Sequence, residues 1–323
     1  MLPPPRALPP SPGGTQRGAA VILALLTVAL VAGLAAATVG DLGVAMDQVI
    51  GRHDQAQARQ LARGAVDWAR NVLAEDGRTS SLDHPGEAWA VKIPPTPVEE
   101  GEVSGELLDL SGRFNLNSLS EGIEGASPLQ VSRFVRLLGH AGVSEQDALP
   151  LAQALIDWID PDDQPRLPGG AESSWYAGQA PPRRPPNGPL AAVAELTQVR
   201  GFTPGLVARL RPFVAALPPG GSINVNTAPP EVLSAAIEGL SLDAARLLVV
   251  ERERAPARDM NSFQRRLEER NVDNINTTGL AVRSTYFLAT GRARFGVSMV
   301  RMEVLLHRSE GQNWPAIVWQ KLL

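Results

Sequence analysis

The chain has 323 residues, a formal net charge of −4 and no cysteine, with a pI near 5.7. That balance excludes a general nucleic-acid binder with a basic surface, and the absence of thiols excludes disulfides and thiolate metal sites. Four histidines, at 53, 84, 140 and 307, show no paired metal spacing. Residues 1–17 are proline-rich with Arg6 and Arg17 as their only charges, a disordered leader on the cytoplasmic side by the positive-inside rule. A charge-free apolar run from Ala19 to Val39 follows Gly18 and lasts until Asp41. At ~1.5 Å per residue, about 20 such residues cross a ~30 Å hydrocarbon core.

The glycine precedes the apolar run, whereas a secretory signal peptide places its small-x-small cleavage site after it. Arg17-Gly18 abutting the run resembles the type III, prepilin-like leader of type IV pilins and type II secretion pseudopilins. The resemblance implies that a prepilin peptidase cuts between Gly18 and Ala19, that Ala19 becomes the methylated N-terminus, and that the membrane helix is retained. Leu23 stands at the fifth mature position, where most pilins carry Glu; among pseudopilins this is typical of the K-type minor subunit.

Helical pattern continues beyond Gly40 to about Glu75, with Leu61, Ala65, Trp68 and Val72 on one face and Ala58, Ala62 and Ala69 widening it. Strands are expected at 88–93 and within 102–110. Helices are then expected at 129–138, 147–159, 191–199, 204–217, 229–238, 242–253 and 262–269, with a proline-rich linker at 181–189. Strands return at 285–290, 298–307 and 315–319. Sheet pieces on both sides of a helical block predict an α+β protein: a membrane half-helix at 19–40, a soluble helix and first strands at 41–111, an inserted all-α domain at 112–284 and returning strands at 285–323. Within the insertion, Arg113-Phe114-Asn115-Leu116-Asn117-Ser118-Leu119 is echoed by Ser222-Ile223-Asn224-Val225-Asn226-Thr227-Ala228, each ahead of a proline-started helix.

Those two stretches, with Asp157-Trp158-Ile159-Asp160-Pro161-Asp162, Gly170-Ala171-Glu172 and Pro186-Asn187-Gly188-Pro189-Leu190, resemble in order the K-type minor pseudopilin family of type II secretion. The resemblance implies a pilin-like fold, in which a long N-terminal helix packs on a small antiparallel sheet, with a large helical insertion. It also implies a single-pass protein of the bacterial inner membrane with its C-terminal part periplasmic. Its expected partners are the I- and J-type minor pseudopilins at the pseudopilus tip and other type II secretion components, with no nucleic acid and no catalytic role.

The densest acidic stretch is Asp157 to Asp163, followed by Glu172. Asp160, Asp162 and Gln164 alternate like the first positions of a calcium loop, but Pro165 replaces the turn glycine and Glu172 falls one residue late, so it is no EF-hand. The residues alone leave open a solvated acidic turn or a cation site. The family resemblance implies structural Ca²⁺, with Asp160, Asp162 and Glu172 as ligands and Asp157 and Asp163 as further candidates; carboxylates without His or Cys suit a hard cation. Catalysis finds no nucleophile–base set, phosphate loop or glycine-rich fingerprint. The alternative is a helix-hairpin-helix DNA-binding module of a DNA-uptake protein, resembled by 223–228 and by 196–204. The hairpin expected after Ala228 has one glycine, Gly239, where such modules need a glycine-rich turn against phosphate.

Overall fold

Helix α1 begins at Arg17 and runs without a break to Thr79 in the computed structural model, which describes residues 17–99, 101–120, 127–273, 275–309 and 314–323. Most of the expected leader, residues 1–16, therefore lies outside the described residues. The chain divides into two compact units between Gln57 and Ala58. In the first, the apolar side chains of α1 from Val21 to Val49 are all exposed. This is the one helix among the described residues long and apolar enough to cross a membrane, and a helix apolar all round requires an apolar surrounding.

In the second unit, the Ala58–Thr79 part of α1 leads to a 3-10 turn at Ala88–Ala90, strands β1 (Ile93–Val98), β2 (Gly101–Asp109) and β3 (Phe114–Asn115), and a 3-10 turn at Leu116–Ser120. Helices α2 (Pro128–His140), α3 (Glu145–Ile159) and α4 (Ser173–Ala177), a 3-10 turn at Val193–Gln198, α5 (Pro204–Leu210) and β4 (Val214–Ala215) follow. Next come β5 (Ile223–Asn224), α6 (Pro230–Ala236), α7 (Leu242–Arg254), α8 (Met260–Glu268) and β6 (Leu280–Ala281). The chain closes with β7 (Tyr286–Phe295), β8 (Ser298–His307) and β9 (Ala316–Leu322).

The sheet has the order β1-β2-β7-β8-β9, antiparallel throughout. The residues between β2 and β7 add no strand to it. They stay in the same compact unit as the sheet. One face of the sheet carries Phe287, Ala289, Ala293, Val300, Val304 and Leu306, packed under Ala58, Ala62, Val66, Ala69 and Leu73 of α1. The buried stripe of α1 is therefore centred on its small residues, which let helix and sheet approach closely. Leu61 and Val72 only flank it, and Trp68, expected on that face, is 53% exposed.

Other boundaries also differ from the sequence reading. Where a strand was expected from Ala88, the chain makes a 3-10 turn that sets the buried Trp89 edge-on to Phe287 at 5.3 Å. The strand itself starts at Ile93 and contains Pro94, Pro95 and Pro97, tolerable because β1 is an edge. The helix expected to run to Leu217 stops at Leu210, since Pro212 cannot continue it, and Val214–Ala215 becomes β4. Residues 193–198 form a 3-10 rather than an α-helix.

The echo in the sequence is an echo in structure. β3 pairs in parallel with β4, and β5 with β6, so each helical half returns to its own starting strand. Where the halves meet the sheet, several buried polar groups engage one another. Ser111 Oγ accepts the Thr285 and Tyr286 N–H groups at 3.0 and 3.1 Å. Asp109 accepts from the Ser284 and Thr227 hydroxyls, and Asn224 donates to Ser284 Oγ and to the Asp83 carbonyl. The buried Arg308 guanidinium lies between Asp83 and Asp76.

Candidate metal centre

The expected ligands are set around the C-terminal end of α3. Ala148, Ala152, Leu155, Ile156 and Ile159 bury this helix in the helical core, and Pro161 directly follows its C-cap, Asp160. Beyond it, a loop returns over the helix end and is held there by the fully buried Asp157, whose carboxylate accepts the Arg166 N–H at 3.1 Å. Gly170 is required at the closest approach: a Cβ there would overlap Asp157 Oδ2 and the Arg166 backbone. Arg200 donates to the Gly170 carbonyl at 3.0 Å and stacks on Trp175 at 5.1 Å. Trp158 meets the buried Tyr176 edge-on at 5.0 Å.

This loop brings Asp160, Asp162 and Glu172 together, with one ligand atom of each within 4.8 Å of the others. Asp160 and Glu172 are buried, whereas Asp162 is exposed. The two further candidates hold other posts. Asp157 is occupied by the loop backbone, and the exposed Asp163 accepts the Ser173 N–H at 3.1 Å.

Both carboxylate oxygens of Glu172 and Oδ1 of Asp160 are buried without a hydrogen-bond donor. Burial, reinforced by Asp157, Asp160 and Asp163, pushes the Glu172 carboxyl up to about 8. Burial likewise pushes Asp157 up to about 6 and raises Asp160. Arg166 relieves part of this, donating from Nε to Asp160 Oδ2 at 3.2 Å, but leaves the three oxygens unpaired. Acceptor oxygens left unpaired inside a protein are costly, and a hard divalent cation with oxygen coordination suits this donor set. The sequence reading missed Asn187, which donates to the Asp162 carbonyl at 2.6 Å while its own Oδ1 is buried without a donor; its place within Pro186-Asn187-Gly188-Pro189 was the available signal.

A second acidic group, Asp76, Asp83 and Glu87, differs in kind. Arg308 supplies its cation, and Glu87 Oε2 accepts the His84 N–H and Trp89 Nε1–H, each at 2.9 Å. None of its carboxylate oxygens is both fully buried and without a donor.

Family models for protein K of the type II secretion system match residues 112–219 and 223–283, which are the two helical halves. The chain is 31% identical over 308 residues to the type II secretion system protein K of Pectobacterium carotovorum subsp. carotovorum, covering 91% of this chain and 93% of the relative. It is 33% identical over 288 residues to the protein of the same name from Pseudomonas aeruginosa, covering 87% and 85%. Among solved structures it resembles a chain of the GspK-GspI-GspJ complex of the enterotoxigenic Escherichia coli type 2 secretion system, with a TM-score of 0.73 and 26% identity over 85% of this chain and 99% of that one. The helix-hairpin-helix reading gains no support from these matches. A long helix on an antiparallel sheet, two clasped helical halves and 31–33% identity along 85–93% of the relatives' length together assign the chain to the type II secretion system protein K family, the K-type minor pseudopilins.

Proposed function

We propose that this chain sits at the tip of the type II secretion pseudopilus, above an I-type and J-type pair, and helps to start the assembly that exports folded proteins across the outer membrane. The observation that carries this reading is the likeness to the protein K chain solved together with GspI and GspJ, nearly all of which is covered. The uncovered apolar stretch of α1 anchors it once in the inner membrane, with residues 41–323 periplasmic. Residues 1–18 are a leader removed by the prepilin peptidase, leaving a methylated Ala19. The insertion spans 112–284.

Leu23 supports the tip position. In pilins a glutamate at that place is thought to pair with the amine of the neighbouring subunit, and a carboxylate in lipid is costly until paired. With Leu23 there is no such carboxylate to dock beneath an existing subunit, while the amine of Ala19 remains available to one arriving below.

The protein works as an assembly surface rather than an enzyme, and Ca²⁺ held by Asp160, Asp162 and Glu172 orders the loop over α3. The orphaned oxygens of Glu172 and Asp160 support that assignment. Full-length protein co-expressed in detergent-solubilised membranes with I- and J-type subunits of the same system should co-purify with both. Recovery of this chain alone, with an I–J pair intact, would overturn the reading.

A further inference from the structure

A cleft lies where the first residues of both helical halves meet the sheet, lined by Arg113, Gln130, Ser222, Gly221 and Gly279 among others. Arg113 is half-buried. Its guanidinium makes no ion pair or hydrogen bond among the described residues, and the side chains of Gln130 and Ser222 also lack a partner. Asp109 acts on Arg113 through its charge, but its oxygens are already taken by the Ser284 and Thr227 hydroxyls and the Ser111 N–H.

A second arginine stands behind the wall. Arg133 is wholly buried and donates from Nε to the Ala236 carbonyl at 2.9 Å and from Nη2 to the Thr278 carbonyl at 2.8 Å. Its Nη1 has no acceptor and lies 3.2 Å from where a Cβ on Gly279, a residue of the cleft wall, would be. Among the described residues no acidic group acts on its charge. Arg113 lines this cleft and Arg133 stands behind its Gly279 wall, neither of them in an ion pair among the described residues, in a chain of net charge −4.

Desolvated cations without counter-charge are costly, and a planar N–H fork matches a carboxylate or small oxyanion. We propose that this cleft is a binding site for a carboxylate or a small oxyanion, with Arg113 as the binding residue, Gln130 and Ser222 as further donors and Arg133 as the charge behind them. The ligand is either a free anion or the terminal carboxylate of another polypeptide; both present the same oxygens. Bound there, it ties the two helical halves to the sheet.

The test is calorimetric titration of the full-length, calcium-loaded protein in detergent at constant ionic strength. The probes are sodium sulfate, the tripeptide Gly-Gly-Leu with a free carboxylate, and the same tripeptide amidated. Saturable binding of sulfate or of the free tripeptide is expected, with none of the amidated form. Arg113→Gln should weaken binding at least tenfold and Arg113→Lys less, while Arg292→Gln, on the sheet, should change nothing. Tighter sulfate binding identifies a free anion as the ligand, and tighter binding of the free tripeptide identifies a chain terminus. Absence of saturable binding of both, or full binding by Arg113→Gln, would overturn the proposal. If Arg113→Gln does not fold, Gln130→Ala serves in its place: weakened binding supports the site and unchanged binding refutes it.

Discussion

Asn117 grips both backbone groups of Leu190, accepting its N–H at 2.8 Å and donating to its carbonyl at 3.0 Å. Asn226 grips Ala257 in the same way, at the same two distances. Each asparagine follows another, Asn115 or Asn224, whose side-chain oxygen accepts its N–H. The second half needs only Ala255 and Pro256 between the end of α7 and its clasp. The first half runs from Asp160 to Pro189 before reaching Leu190. The acidic loop is thus an added length at one of two equivalent positions.

Replacing either clasp should destabilise strongly. Asn226→Ala strands the N–H and carbonyl of Ala257 in the core, at about 1–3 kcal/mol for each unpaired group. Asn117→Ala strands both groups of Leu190 and also frees the Leu217 carbonyl. Urea unfolding should show Asn117→Ala to be at least as damaging as Asn226→Ala.

The metal proposal is tested by linkage. Chelation should lower the melting temperature, and added Ca²⁺ should restore it. Free ion ~100-fold above Kd contributes about 2.7 kcal/mol. Asp160→Ala with Glu172→Gln should abolish the response to calcium without lowering chelated stability further, because the repelling carboxylates are gone. An equal response in this variant, or no calcium by elemental analysis of the wild type, would refute the site.

Gly170→Ala should destabilise by about 1–3 kcal/mol through overpacking and weaken calcium binding, since the new methyl displaces the loop from Asp157. Gly178→Ala, where a Cβ meets nothing closer than 3.5 Å, is the control. Calcium titrations of the two variants should separate them.

Asp109 gives a pH dependence of defined sign. Burial pushes its carboxyl up to about 6, against the hydrogen bonds from Ser284, Thr227 and Ser111. The folded state therefore holds a proton over the window from about 4 to 6 that the unfolded chain releases, so this residue's contribution to stability falls as pH rises through that window. Asp109→Asn should reduce the slope of the melting-temperature profile between those values, leaving the share due to Asp157 and Asp76, also pushed up to about 6. An unchanged slope would remove Asp109 as a contributor.

The proposed cleavage after Gly18 would leave α1 with its apolar run intact. The intact mass of the membrane-bound protein should correspond to a methylated chain starting at Ala19. A start at about residue 40 would indicate an ordinary signal peptide and remove the pilin-like processing.

The sequence was most informative where a residue's chemistry admits few uses. The charge-free run, the alternating strands of β7 and β8 and the paired Asn-x-Asn stretches all led to the right architecture. Trp68 was misplaced because periodicity does not distinguish the apolar face that packs from one that flanks it, and close packing chose Ala58, Ala62 and Ala69. The alternation of Asp160, Asp162 and Gln164 set those two acids ahead of Asp157 and Asp163 in sequence, but could not say what the latter two do. The path of the loop turns Asp157 and Asp163 to backbone N–H groups and leaves Asp160 Oδ1 and both oxygens of Glu172 unpaired. Arg308 left no local trace, since its partners Asp76 and Asp83 lie far away in the chain.

The pairing of β2 directly with β7 has a consequence for synthesis. β2 leaves the ribosome long before its neighbour exists, and its edge stays open while the whole helical block is made. An open strand edge on a nascent chain invites wrong pairing. The two halves, each closed on itself through β3–β4 and β5–β6, can finish folding during that wait. The sheet then completes last, when β7 and β8 emerge already joined as a hairpin.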